Sequence, residues 1–221
     1  MGGSSNVRSA STRRRLLDAA ETQFGERGFA ATSLRTVTEA AGANVAAVSY
    51  HFGSKEGLLR AVVARVMVPV NDERRQRLDE LEARDTPPSV PELIRSFVEP
   101  AVNLTGDGDP RSPEVARFIG RVISEPDPQI RQLFAAEVDP VEGRYLAALR
   151  HALPDLDDAT VRFAYTSMLG LLGLHQSGAF AAVAWPAIPG GTRPGTDFDT
   201  ENLIRFITGG IDGLRTDSAP S

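Results

Sequence analysis

The sequence of 221 residues contains no cysteine and only three histidines. The absence of cysteine excludes a disulfide framework, a thiolate metal site and a cysteine nucleophile. His51, His151 and His175 lie far apart, and none has a partner at the spacing that metal ligands require. We therefore predict no metal site and no cofactor.

Long hydrophobic runs are also missing. Residues 1–15 pass from Gly and Ser directly into basic residues, which excludes a secretory signal there. The longest apolar cluster, residues 168–174, is too short to span a bilayer. We expect a cytoplasmic protein without membrane contact.

Basic residues are fewer than acidic ones, and the net charge is −5. The two signs are unevenly distributed: residues 1–60 carry eight Lys or Arg and five Asp or Glu, and the remainder carries sixteen and twenty-four. Binding to DNA depends on local potential rather than on total charge. The asymmetry therefore suggests a DNA-facing N-terminal region on an acidic body.

No segment shows the apolar–polar alternation of a strand. Apolar residues instead recur at helical spacing, as do Leu17, Ala20 and Phe24 after Thr12. We predict an all-α fold of about nine helices. The predicted segments are a flexible tail over 1–11, a DNA-binding domain over 12–60, a larger helical domain over 61–215 that contains a loop at 186–195, and a flexible tail over 216–221.

Residues 32–52 have the pattern of two helices joined by a glycine turn. Thr32 is predicted to cap one helix, Gly42 to end it and Asn44 to cap the next. A turn this tight lets the second helix, residues 45–52, project into a DNA major groove. Its small, uncharged surface residues permit close approach to base edges.

Polar groups around this helix suit contacts with phosphate. Tyr50 and His51 can donate hydrogen bonds, and Lys55 adds its charge at the start of the following helix. The alternatives are that Tyr50 packs in the core, that His51 is a capping or packing residue or a metal ligand, and that the basic run at 13–15 is a solvated helix start. The predicted DNA-contacting residues are Arg13, Arg14, Thr32, Ser33, Arg35, Asn44, Ala46, Ala47, Ser49, Tyr50, His51 and Lys55.

The run from Ala40 to Leu58, AAGANVAAVSYHFGSKEGL, resembles the signature of the TetR family of repressors. Residues 17–24, Gly28-Phe29 and Thr32-Ser33 match the first two helices of that family. The resemblance implies a three-helix DNA reader, a helical ligand-binding domain and dimerisation through the last two helices. It implies a ligand-responsive transcriptional regulator, a repressor, that binds a palindromic double-stranded operator as a homodimer.

Residues 123–128, 138–141 and 148–154 are similar to a subgroup that includes fatty-acid- and acyl-coenzyme-A-responsive repressors. Large apolar residues are plentiful in the helices over 55–175, and Pro69 and Pro140 are predicted to interrupt two of them. Interrupted helices pack imperfectly, which favours an apolar ligand cavity over the alternative of a closed core. An anionic ligand head would need Arg117, Arg121 or another arginine. The predicted ligand-binding residues are Phe97, Val102, Phe118, Val122, Phe134, Tyr145 and Met168.

The segment at 168–174 is apolar nearly all round, so it must be covered on every side. A second subunit would cover the face that the domain core does not. We predict a homodimer held by the helices around residues 158–181 and 200–214. The alternative is a helix central to one monomer.

The other class of function to consider is a helical enzyme whose N-terminal region only resembles a DNA reader. The sequence shows no nucleophile–base pair, metal constellation or phosphate-binding glycine loop. The pair Gly190-Gly191 lacks the strand-then-helix context that such a loop needs. We predict no catalytic residues and no enzymatic activity.

Overall fold

A computed structural model of the chain describes residues 3–104, 112–123, 125–176 and 200–216. These residues form nine helices and no strand, which confirms the predicted all-α fold. The loop predicted over 186–195 lies outside the described residues. The helices are α1 (Gly3–Arg27), α2 (Leu34–Ala40), α3 (Val45–Phe52), α4 (Lys55–Glu82), α5 (Val90–Leu104), α6 (Ser112–Ile123), α7 (Pro128–Ala152), α8 (Asp158–Gln176) and α9 (Thr200–Thr216).

The chain divides into two compact units. The first unit combines residues 1–69 with 107–137, and the second combines residues 70–106 with 138–221. Each unit is therefore built from two separate segments of the chain. Within the described ranges, no helix is both long and apolar enough to cross a membrane.

Helix α1 is the centre of the first unit and packs against α2, α3 and α6. Its inner face buries Leu16, Ala20 and Phe24, which recur at helical spacing. Val37 of α2 and Val48 of α3 are fully buried, so each short helix is fixed by an apolar side chain. This packing holds the three N-terminal helices as one body.

The start of α1 corrects a prediction. We expected a tail over 1–11, but the helix begins at Gly3. Thr12, after which the helix was expected to begin, is an interior residue whose hydroxyl donates to the carbonyl of Arg8 at 3.1 Å. No proline interrupts the preceding residues, so the helix extends through a segment whose Ser and Asn content had suggested a tail.

The cap of α2 corrects a second prediction. Ser33, not Thr32, is the N-cap, and its hydroxyl accepts a hydrogen bond from the Thr36 backbone N–H at 3.0 Å. Thr32 is buried, and its hydroxyl is within hydrogen-bond distance of the carbonyls of Gly28 at 2.8 Å and Gln23 at 3.0 Å. The Thr32 hydroxyl therefore fastens the α1–α2 turn, which leaves capping to the next residue.

The second unit packs α9 against α5 and α8. The Phe97 ring of α5 packs edge-on against the rings of Tyr145 and Tyr165, with 5.0 and 5.8 Å between the ring centres. The Gln176 side chain donates to the Ala101 carbonyl at 2.7 Å. The core of this unit thus contains aromatic rings and satisfied polar groups as well as aliphatic side chains.

Neither predicted helix interruption occurs. Helix α4 continues through Pro69 to Glu82, and α7 continues through residue 140 to Ala152. An interior proline removes one backbone hydrogen bond, yet both helices extend well beyond these positions. The prolines therefore give no support to the predicted cavity.

Candidate nucleic-acid interface

Helix α3 is short and is fixed at its start and on its inner face. Gly42 has φ +56°, the left-handed conformation that glycine adopts most easily, and it ends the preceding turn. The Asn44 side-chain oxygen then accepts a hydrogen bond from the Ala47 N–H at 2.9 Å, as the sequence predicted for a cap. Val48 points into the core, which leaves Ala46 and Ser49 exposed.

Tyr50 extends the exposed face of α3. It is 80% exposed, so the alternative in which it packs in the core is wrong. Its ring packs edge-on against that of His51, with 4.9 Å between the ring centres. The half-buried His51 ring has its centre 6.0 Å from that of the Phe52 ring. The tyrosine hydroxyl is thus presented to solvent at the end of an uncharged helix face.

Lys55 is held differently from the prediction. Its ammonium donates to the Phe29 carbonyl at 2.6 Å and lies 4.1 Å from the centre of the Phe29 ring. Partial burial lowers the pKa of this amine. One ammonium proton is thereby committed to the fold, and two others remain for an outside acceptor.

Arginines provide the other positive charge near α3. Arg13 and Arg14 are exposed on α1, and the Arg13 guanidinium lies 5.4 Å from the centre of the Phe52 ring at the end of α3. Arg35 is also exposed, but it forms an ion pair with Glu39 at 2.8 Å, which raises its pKa. Arg13 is therefore the arginine that a direct contact ties to α3.

The remaining predicted residues are Ala47, which is half-buried, Ser33 and Thr32. Ser33 is exposed, although its hydroxyl caps α2 and lies 2.8 Å from the Thr36 hydroxyl. Thr32 is only 1% exposed, so its side chain is not part of the surface that we assigned to DNA. The structure thus brings together the α3 face, Arg13 and Lys55, and it removes Thr32 from the set.

The α3–α4 junction contains a residue that sequence reasoning missed. A Cβ added to Gly57 would lie 2.0 Å from the Phe52 carbonyl oxygen, a distance that no side chain tolerates. Gly53, in the same turn, has φ +77°. The signal in the sequence is a glycine in the first turn of a helix. Glycine destabilises a helix, so its presence there indicates that close packing leaves no room for a side chain.

The predicted ligand-binding residues divide between the two units. Phe118, Val122 and Phe134 belong to the first unit, and the other four belong to the second. Five of the seven are buried, whereas Val102 and Phe134 are half-buried.

The two arginines proposed for a ligand head already have protein partners. Arg117 lies 3.8 Å from the carboxylates of Glu26 and Glu114, and Arg121 donates to the Glu26 carbonyl at 3.3 Å. The two contacts with Glu26 join α6 to α1, whereas the contact with Glu114 lies within α6.

An exposed, capped and uncharged short helix that follows a glycine turn, with cations beside it, defines a helix-turn-helix DNA-binding protein. Residues 16–62 match the model of bacterial regulatory proteins of the tetR family. Residues 95–210, more than half of the chain, match the tetracyclin repressor-like C-terminal domain. The chain belongs to the TetR family of transcriptional regulators.

Individual relatives agree with this assignment. The chain is 30% identical over 120 residues to the HTH-type transcriptional dual regulator CecR of Shigella flexneri, and this match spans 52% of that relative. Its fold is similar to SmeT, the repressor of the Stenotrophomonas maltophilia efflux pump SmeDEF, with 23% identity, a TM-score of 0.60 and coverage of 92% and 91% of the two chains. It is also similar to the regulator FadR of Bacillus subtilis in complex with stearoyl-CoA, with 13% identity, a TM-score of 0.58 and coverage of 91% and 96%. At these identities the two structures establish the fold alone.

Proposed function

We propose that the protein is a ligand-responsive repressor that binds a palindromic operator as a homodimer. The observation that carries the proposal is the exposed face of α3, formed by Ala46, Ser49 and Tyr50. Small residues and a solvent-facing hydroxyl suit contact with bases and phosphates in a major groove. The neighbouring cations, Arg13 and Lys55, would position this helix on the DNA backbone.

Dimerisation through α8 and α9 is supported by their exposed apolar residues. Phe163 is 61% exposed, Phe206 is 69% exposed and Leu174 is 42% exposed. A soluble protein rarely leaves so many large apolar groups uncovered on neighbouring helices. A two-fold axis through this surface would give two readers, and half-sites centred about 34–36 Å apart or a multiple of that.

We further propose that the effector is a small apolar or amphipathic molecule. The core of the second unit contains aromatic rings, of which Phe97 and Tyr145 are buried and in mutual contact. The structural relative FadR of Bacillus subtilis was solved with stearoyl-CoA. An effector changes DNA affinity only by preferring one conformational state of the regulator over another.

A bandshift with the promoter beside the protein's own gene, repeated over a series of salt concentrations, tests DNA binding. Replacing Arg13 with Ala should weaken binding to all sequences and reduce the salt slope by about 0.9, the contribution of one phosphate contact. Replacing Ser49 should instead change which operator is preferred.

The matched control is Arg75→Ala, which removes an exposed arginine from α4 in the second unit. It should leave both affinity and slope unchanged. Failure of the native protein to shift this promoter more strongly than unrelated DNA would contradict the proposal.

A further inference from the structure

Arg74 is a buried cation for which the fold provides little compensation. It lies on α4 within the second unit and is 3% exposed. Its Nε donates to the Phe97 carbonyl at 2.9 Å, and its guanidinium carbon lies 3.6 Å from the centre of the Phe97 ring. Within the described ranges, neither terminal nitrogen forms a hydrogen bond, and no carboxylate forms an ion pair with it.

The surroundings of Arg74 are aromatic and hydroxylic. The Tyr145 hydroxyl is 3.0 Å from the Arg74 carbonyl and 3.1 Å from the Ser96 hydroxyl. The rings of Tyr145 and Tyr165 both pack edge-on against Phe97. Arg74 thus lies beside Phe97 and Tyr145, two residues that the sequence had assigned to a ligand.

Burying a guanidinium without a directly paired anion is costly, and apolar residues of similar volume would pack this position with less penalty. Burial lowers the pKa of Arg74 to about 10, and interactions with Tyr165, Glu142 and Tyr145 offset this only in part. The contrast with Arg77, three residues further along α4, is clear: Arg77 binds the carboxylates of Glu73 at 2.7 Å and Glu99 at 2.6 Å.

We propose that Arg74 binds the carboxylate of an amphipathic effector whose apolar part lies among the aromatic side chains of the second unit. The two terminal nitrogens of a guanidinium match the two oxygens of a carboxylate in a bidentate pair. This inference rests on the proposed ligand response, and it identifies the head group of the effector as a carboxylate. Since the cluster is closely packed, binding requires it to open, and a preference for the opened state couples the ligand to DNA affinity.

A free carboxylic acid fits this position better than its coenzyme A ester. The thioester carbonyl carries no charge next to the chain, and the phosphates of coenzyme A are attached far from it. The ester would leave Arg74 without an anion. The acid, by contrast, brings one planar negative charge directly to the end of the apolar chain.

The test compares dodecanoic acid, dodecanol and dodecanoyl-coenzyme A by calorimetry at neutral pH. The native protein should bind the acid about 10- to 100-fold more tightly than the alcohol, because a hydrogen bond between charged groups increases affinity by about this factor. Arg74→Met should lose this preference and bind the acid and the alcohol with about equal affinity. The matched control Arg75→Met, which changes the exposed neighbour on the same helix, should keep the full preference.

Equal affinity of the native protein for acid and alcohol would overturn the inference, as would an Arg74→Met variant that keeps the preference. Tighter binding of the coenzyme A ester than of the acid would also overturn it. If Arg74→Met fails to fold, Arg74→Lys replaces it in the comparison and should retain only part of the preference. A bandshift on the same preparation reports separately on the proposed function, because DNA binding does not depend on which head group is preferred.

Discussion

At the residue scale, Lys55 shows how one side chain can serve both the fold and a ligand surface. Its ammonium joins the start of α4 to the Phe29 carbonyl after the end of α1. The same group lies beside the α3 surface that we propose for DNA. Its removal should therefore change two independent measurements.

We expect Lys55→Ala to lower the free energy of unfolding by about 1–2 kcal/mol, because a charged hydrogen bond is lost at a partly exposed position. Binding to all DNA sequences should weaken, and the salt slope should fall by about 0.9. Urea unfolding and bandshifts over a salt series measure the two effects. Arg60→Ala, which removes an exposed cation from the same helix, is the control for stability. An unchanged slope would leave Lys55 as a structural residue only.

At the element scale, the α3–α4 junction depends on the absence of a side chain at Gly57. A methyl group there would overlap the Phe52 carbonyl oxygen, which is backbone and cannot move aside without distorting α3. We expect Gly57→Ala to destabilise the protein by about 2–3 kcal/mol through overpacking and to weaken operator binding.

Gly143→Ala is the matched control in the same measurements. Gly143 lies exposed within α7, and nothing lies within 4 Å of a Cβ added there. This substitution should stabilise the protein by about 0.5–1 kcal/mol, because alanine favours the helix over glycine. If both variants were equally stable, the steric account of Gly57 would be wrong.

The start of α5 makes the stability of the protein dependent on pH. Glu92 accepts hydrogen bonds from the Ser89 hydroxyl at 2.7 Å and backbone N–H at 2.9 Å, and it pairs with Arg84. These contacts, led by the hydroxyl, lower the pKa of Glu92 to about 2. A carboxyl group with a lowered folded-state pKa stabilises the fold above its unfolded pKa of about 4.3 and loses this effect as the pH falls.

We therefore expect the Tm of native protein to exceed that of Glu92→Gln at neutral pH, with the gap closing between pH of about 5 and about 2. The effect should be small because the pair is solvent-exposed. Glu80→Gln, which removes an exposed carboxylate of α4 that accepts from Gln76, controls for net charge. A gap that stays constant with pH would show that the carboxylate charge at this cap is not responsible.

The sequence was sufficient for the elements whose signals are local. The Asn44 cap and the left-handed Gly42 depend only on residues close to them in the chain, and the structure has both. Thr32 was assigned wrongly because the packing of the α1–α2 turn places its hydroxyl beside the carbonyls of Gly28 and Gln23. Arg74 was missed for the same reason: its burial and its contact with Phe97 arise only from packing.

At the scale of the whole molecule, the exposed apolar faces of α8 and α9 predict the assembly. We expect Phe206→Glu and Leu174→Glu each to convert a dimer into a monomer, because a charge would be buried at the centre of the interface. Light scattering coupled to gel filtration measures the mass. The monomeric variants should bind the operator far more weakly, since one reader would have to bind alone.

Val68→Glu is the control for this experiment. Val68 is an equally apolar residue, 47% exposed on α4, outside the proposed interface. It should leave the native mass unchanged. A native protein that runs as a monomer at micromolar concentration would rule out the proposed dimer.

In α3, the residues that stabilise the fold differ from those that face solvent, and this separation has a consequence for the evolution of this regulator. Asn44 and Val48 stabilise the helix and its packing, while Ala46, Ser49 and Tyr50 face solvent. Exposed substitutions away from caps and core usually change stability by less than about 0.5 kcal/mol. After gene duplication, a copy can therefore acquire a new operator through these three positions while its fold stays intact.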